Sequence, residues 1–210
     1  MLTTPRLIAI ALCAALNFSI GSIVYLIKLP IYLDSIGTIL CALLLFPNSL
    51  VGFVCAWISG ALSIVLSSLL INPFVLWFEL TDVAIALFSA FVTAQAAETF
   101  RARPLPTVTF ATKVVLYGVA TGIIAAIVSA PVVVYLFGGV TGSGSAFLVA
   151  FFLKTGQQLL TAAVMSGLTA EPIDKTLQVL FAALLYRATP SEFIAMLRTG
   201  GDLAVRTDHT

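Results

Sequence analysis

The chain predicts an all-α integral membrane protein: a six-transmembrane-helix bundle with an additional interfacial or capping helix between the last two spans. Three observations carry this. Of the 210 residues, 60% are hydrophobic and 9% are Asp, Glu, Lys or Arg, against about 25% charged in ordinary soluble domains. Mean hydropathy is +1.14. The apolar residues fall in long runs, most of membrane-crossing length, separated by short breaks marked by Pro, Gly and polar residues.

The first run, residues 7–27, is too long for a signal-peptide core and reads as a first membrane helix. The second, 35–46, is short and closes on Phe46-Pro47-Asn48, a turn signal. Runs at 50–70, 80–97 and 110–137 follow, the last long enough to tilt. The final span is residues 173–187. Between the fifth and sixth spans, Gly138-Gly139-Val140-Thr141-Gly142-Ser143-Gly144-Ser145 reads as a flexible loop. Residues 146–168 then form an apolar helix carrying Lys154, Gln157 and Gln158. Those polar groups favour a helix lying partly in the interface over a seventh span. Residues 1–188 are thus the membrane-embedded bundle, and 189–210 a polar tail, weakly helical near 191–197.

Charge sets the orientation through the positive-inside tendency. Six spans with an inside N-terminus give the cytoplasmic side Arg6, Arg101, Arg103, Lys113, Arg187, Arg198 and Arg206. The outer side receives Lys28, Lys154 and Lys175. A seventh span would export Arg187, Arg198 and Arg206. Both termini are therefore expected in the cytoplasm.

Composition also excludes functions. A net charge of +1 gives no basic field for nucleic acid. Cys13, Cys41 and Cys55 sit in apolar runs as buried small hydrophobes. The one histidine, His209, lies in the tail, so no histidine-based metal site is expected. No P-loop, His-Glu-x-x-His, Cys-x-x-Cys or Gly-x-Ser-x-Gly pattern occurs, which argues against an enzyme and against self-powered transport.

One polar interruption stands out, Leu29-Pro30-Ile31-Tyr32-Leu33-Asp34-Ser35-Ile36-Gly37-Thr38. Pro30 ends one helix, and Asp34-Ser35 reads as an N-cap pair for the next. In the expected topology, Tyr32, Asp34, Trp77, Glu79, Asp82, Lys154, Gln157, Gln158 and Lys175 gather on the outer side. Ionisable groups near span ends pair with one another or line a cavity, so Asp34 and Lys175 fit either a loop-fastening ion pair or a ligand contact. Trp77 fits either an interfacial belt or a stacking platform. Gln157, Gln158, Glu79 and Lys154 beside aromatics suit a polar small molecule.

Small residues recur at four-residue spacing: Ala11 and Ala15; Gly52, Ala56 and Gly60; Gly118, Gly122, Ala126 and Ala130. Such stripes let helices approach closely in lipid, or offer a docking face to another membrane protein.

The stretch from Leu29 to Thr38 resembles the first outer loop and second-helix start of the substrate-binding S components of energy-coupling factor (ECF) transporters. Ser166-Gly167-Leu168-Thr169-Ala170-Glu171-Pro172-Ile173-Asp174-Lys175-Thr176 is similar to the family's lead-in to the last helix, with its Asp-Lys pair. Ala11 and Ala15 match the first-helix Ala-x-x-x-Ala pattern. The resemblance implies a six-helix bundle in a bacterial or archaeal cell membrane. It implies capture of a vitamin-like nutrient at the outer face, with no cofactor. Ala11 and Ala15 would contact a transmembrane coupling subunit joined to two cytoplasmic ATPases. The metal-binding branch has a histidine-bearing N-terminal segment that Met1-Leu2-Thr3-Thr4 lacks. A membrane sensor or structural partner that binds a ligand without moving it is the alternative.

Overall fold

In an apolar medium every backbone polar group needs a partner from the chain itself, and helices supply one residue by residue. The computed structural model describes residues 2–201. Met1 and the end of the expected tail, with Arg206 and His209, lie outside the described residues. The elements are α1 (Thr4–Leu26), α2 (Ile36–Leu45), α3 (Ser49–Leu70), a 3₁₀ turn (Pro73–Phe78) leading into α4 (Glu79–Phe91), a second 3₁₀ turn (Thr93–Ala96), α5 (Ala97–Arg101), α6 (Thr107–Tyr135), α7 (Ser145–Lys154), α8 (Leu159–Ala188) and α9 (Ser191–Thr199). No strand occurs among the described residues.

Four helical stretches are long and apolar enough to cross a membrane: α1, α3, the Pro73–Arg101 run and α6. Counting α8 with α9, bent by 99° at their junction, makes a fifth. These make the chain a multi-pass membrane protein. α2 differs. Its 10 residues rise only about 15 Å, half of a hydrocarbon core. It is buried on every side except at Leu40, as expected for a helix that is apolar all round. It is the bundle's central strut, packed by α1, α3, α4 and α8. Cys13, Cys41 and Cys55 belong to this core, buried and free.

The greatest departure from the sequence reading lies after residue 138. The expected helix over 146–168 is broken: α7 stops at Lys154, and residues from Leu159 onward join α8. The expected last span, 173–187, is only the second half of a 30-residue helix that runs through Pro172. The helix continues because packing against a neighbouring helix and a local side-chain bond tie the proline turn down. Thr176 Oγ1 donates to the Pro172 carbonyl at 2.6 Å. α6 lies so close that a Cβ on Gly122 would stand 2.5 Å from Pro172 Cα, and one on Gly118 2.3 Å from Thr176 Cα.

The small-residue stripes therefore divide. Gly118, Gly122, Ala126 and Ala130 form the buried seam between α6 and α8. Gly52, Ala56 and Gly60 face α2 and α4 and are buried. Ala11 and Ala15 are exposed on the outer surface of α1.

At one end of the bundle, arginines cap neighbouring helices. Arg6 donates to the Leu197 and Arg198 carbonyls at 2.9 Å each, closing α9. Arg101 donates to Tyr186 and Thr189 at the end of α8. Arg187 donates to Phe100 and Ala102 at the end of α5. Arg198 reaches the Leu44 carbonyl near the end of α2 at 3.4 Å and the Tyr186 hydroxyl at 3.0 Å. Carbonyls in a last turn lack intrahelical partners and carry the negative end of the helix dipole, so cations belong there.

Candidate functional site

The Leu29–Thr38 interruption is not a helix start capped by its own side chains. Ser35 stands at the N-cap of α2 but makes no capping bond through its hydroxyl. The helix thus starts where the Asp34-Ser35 pair is expected to start it, with Ser35 at the N-cap position but without a side-chain cap. The interruption is irregular backbone inside a helical bundle, and distant side chains satisfy its donors. Asp174 Oδ1 accepts from the Tyr32 and Leu33 N–H groups at 3.0 and 2.9 Å. Gln178 Oε1 accepts from Ser35 N–H at 3.0 Å. Asn17 Oδ1 accepts from Gly37 N–H. Leu33 is held at φ +50°, a left-handed conformation that persists only where surrounding bonds enforce it.

Lys175 sits beneath this segment, 2% exposed. Its ammonium lies 2.8 Å from Asp174 Oδ2, 3.3 Å from Asp34 Oδ1 and 3.6 Å from Glu171 Oε2. It also lies 5.8 Å from the centroid of the Tyr32 ring. Gln178 Nε2 donates to Asp174 Oδ2 at 2.7 Å. Asp174 thus accepts four hydrogen bonds and is 0% exposed. A buried carboxyl group is costly unless its lone pairs are filled in this way.

Above the network lies a cavity of about 150 Å³, the volume open to the centre of a water-sized sphere. One water needs only about 10–15 Å³ by that measure, so the space suits a small molecule rather than a solvent pair. Its walls come from α1, the Leu29–Thr38 segment, α3, the Pro73–Phe78 turn, α4, α6, the loop before α7, and α8. On α3 the face is Gly60, Ser63, Ile64 and Ser67, one helical stripe, with Ile71 just past its end. Asp82 projects from α4 across Gly60, where a Cβ would stand 2.0 Å from its Oδ1. Thr38 Oγ1 is 3.4 Å from the same oxygen and accepts from Asn17 Nδ2 at 3.0 Å. A polar chain thus crosses the floor from α1 through α2 to α4.

The roof is the loop expected to be flexible. It is packed instead. Thr141, Ser143 and Ser145 are buried, and their hydroxyls form a triangle with edges of 2.8, 2.8 and 3.4 Å. Lys28 Nζ donates to the Gly142 carbonyl. Gly144 lies against the Lys28 and Leu29 carbonyls, where a Cβ would stand 2.3 Å away. Phe137 packs on Phe78 and Phe74 beside it, with centroids 5.6 and 5.9 Å apart.

Four of the nine site residues expected from sequence come together here: Tyr32, Asp34, Asp82 and Lys175 line the cavity. The other five do not. Lys154, Gln157 and Gln158 are exposed in and beside the turn between α7 and α8. The reason is the break after Lys154, which takes them away from the bundle axis. Trp77 is 56% exposed. Glu79 accepts from the Trp57 indole N–H at 2.6 Å and does not reach the cavity wall. Lining residues outside that set include Asn17, Ser63, Ser67, Thr81, Ser129 and Glu171. Asn17 had a signal, as the lone amide in an apolar helix. Gly60, Ser63 and Ser67 had one too, as a polar stripe at helical spacing.

Several buried polar atoms at the cavity lack a hydrogen-bond partner: Ser22 Oγ, Thr81 Oγ1, Asp82 Oδ2 and Glu171 Oε2. Buried polar groups are almost always bonded, so each of these exceptions calls for an explanation, a bound water or ligand among them. Among the described residues no group of three or more His, Cys, Asp or Glu is placed to hold a metal ion. Comparisons with protein-family models, curated proteins and solved structures found no match to this chain.

Proposed function

We propose that the chain is a membrane-embedded substrate-binding subunit, of the kind represented by the S components of ECF transporters, that captures a small vitamin-like nutrient for uptake. The observation that carries the proposal is convergence. The two stretches that resemble that family, Leu29 to Thr38 and Ser166 to Thr176, meet at one cavity through Asp174, Lys175 and Asp34. Residues carrying buried polar atoms without a hydrogen-bond partner line the same cavity.

In this reading six segments cross the membrane: α1, residues 29–46 with α2, α3, the Pro73–Arg101 run, α6 and α8. α7 is the additional interfacial helix. An even number of crossings puts both chain ends on one side, in keeping with the contact of Arg6 with the carbonyls of α9. The arginine-capped end faces the cytoplasm of a bacterial or archaeal cell, and the cavity opens outward. Energy would come from two partner ATPases through a coupling subunit docked on the exposed Ala11 and Ala15 face.

The test is capture and then uptake. Small molecules retained by the purified protein are identified by mass spectrometry. The identified compound, radiolabelled, is then offered to vesicles with and without a coupling subunit and ATPases. Retention followed by ATPase-dependent uptake supports transport. Retention with uptake indifferent to the ATPases leaves a sensor. Retention of nothing rejects the binding role.

A further inference from the structure

We infer that the molecule taken by this cavity is a cation with a flat apolar body, and that Asp82 is the group that pairs with its charge. The inference rests on the reading of the cavity as a capture site and names the class of its ligand.

Acidic groups outnumber basic ones around the cavity. Its lining holds the carboxylates of Asp34, Asp82 and Glu171 and one ammonium, Lys175. A further carboxylate, Asp174, lies behind Lys175. That ammonium is already shared by Asp34, Glu171 and Asp174, all within 3.6 Å. Asp82 is 6% exposed, and no lysine or arginine among the described residues forms an ion pair with it. Its Oδ1 has only the Thr38 hydroxyl at 3.4 Å, and its Oδ2 has no partner. The nearest acid on its own helix, Glu79, is held by Trp57. A buried carboxyl group with no cation beside it is the one whose charged form an incoming cation would stabilise.

Acidic residues alone do not make a site. Here the neighbouring wall independently points to a polar ligand. Thr81 Oγ1, 7% exposed as a residue, has no partner, nor has Ser22 Oγ. The strong donors of the lining are already engaged: Asn17 Nδ2 by Thr38, Asn72 Nδ2 by the Tyr25 hydroxyl at 3.1 Å, and Lys175 Nζ by its carboxylates. Carboxylates only accept, and hydroxyls accept as readily as they donate. The cavity therefore offers carboxyl acceptors and hydroxyls of either sense, while its amide and ammonium donors are spent. A ligand with N–H groups and positive charge satisfies it, and an anion meets three carboxylates. Tyr25, Tyr32, Phe78 and Phe137 complete the lining. Aromatic side chains pack against a flat apolar body and attract a cation.

The test uses a matched trio of one shape and three charges: benzamidinium, benzamide and benzoate. Each is titrated calorimetrically into the purified full chain, as wild type, Asp82→Asn and Asp82→Glu. Benzamidinium is expected to bind wild type about tenfold or more tighter than benzamide, with no benzoate binding. Asp82→Asn should erase that preference, and Asp82→Glu should keep it. Equal or tighter binding of benzamide or benzoate to wild type overturns the inference. So does a benzamidinium preference that survives in Asp82→Asn, or binding by none of the three. Should Asp82→Asn fail to fold, the trio on wild type and Asp82→Glu decides the matter. Retention of a neutral or anionic compound in the capture experiment overturns the cation and leaves capture standing, so the two failures are distinguishable.

Discussion

Asp174 on α8 holds the backbone N–H of Tyr32 at 3.0 Å, across 142 positions of sequence. The same oxygen holds Leu33, and the other carboxylate oxygen holds Lys175 and Gln178. Irregular backbone persists within the bundle because this side chain, with Gln178 and Asn17, replaces its missing helical partners. Asp174→Ala would leave two backbone donors and a buried ammonium short of a partner. A loss of about 3–5 kcal/mol is expected from breaking the buried pair alone. Thermal unfolding in detergent should show a large drop in Tm. Asp174→Asn, which keeps an acceptor, should fall between. A Tm for Asp174→Ala within a degree or so of wild type would refute the anchoring role.

The α6–α8 seam gives a prediction that separates glycines of one sequence type. Gly122 meets the Pro172 backbone at 2.5 Å once a Cβ is added, and a backbone cannot step aside as a side chain end can. At Gly52 the nearest atoms are 3.6 to 3.8 Å away, ordinary contact. Gly122→Ala should therefore lose monodispersity on size exclusion. Gly52→Ala should elute as wild type, aided by a better helix propensity of about 1 kcal/mol. Equal behaviour of the two variants would contradict the close seam.

The helical class and the individual runs were legible because an apolar chain without water has few alternatives. α1, α3 and α6 lie within a few residues of their expected bounds. Pro172 misled because proline breaks isolated helices, whereas here tertiary packing from Gly118 and Gly122 holds it in place. Asp34, Asp82 and Lys175 could be singled out, since a charge in a greasy segment demands a partner. Gln157 and Gln158 obeyed the same logic and still landed in an exposed turn. Polarity marks a residue as unusual, and only three-dimensional placement distinguishes a cavity wall from a helix break.

That distinction is testable. Gln157→Ala is expected to leave ligand affinity unchanged, because residue 157 is exposed and absent from the cavity wall. Glu171→Gln changes a lining carboxylate that is 6% exposed and should weaken binding by about tenfold, roughly 1.4 kcal/mol. Calorimetry with the compound retained on purification reads both. The reverse pattern would move the site to the turn between α7 and α8.

The arginine caps predict an asymmetry between two basic residues. Arg101 donates to two terminal carbonyls of α8 and lies 5.4 Å from the centroid of the Tyr186 ring. One nitrogen, Nη1, serves both carbonyls while the planar guanidinium lies over the Tyr186 ring, a contact that a lysine ammonium does not reproduce. Arg101→Ala should destabilise by about 1.5–3 kcal/mol, the range for hydrogen bonds to charged groups. Arg101→Lys should restore less than half of that. Thermal unfolding of the two variants side by side checks it, and full rescue by lysine would reduce the role of Arg101 to charge alone.

Ala11 and Ala15 supply the last prediction, which turns on surface rather than core. Both lie on α1 and both are exposed, while Ala9, Ile10, Cys13 and Ala14 of the same helix are buried. The other two small-residue stripes are consumed within the bundle, against α8 and against α2 and α4. Only the α1 pair is left to admit a partner helix at close range. Ala11→Trp adds a large side chain where it meets no neighbour of its own bundle, so expression, Tm and ligand binding should match wild type. Co-purification with a coupling subunit should fall to background. Normal co-purification would move the docking face elsewhere on the bundle. A drop in Tm would show instead that position 11 is packed within it.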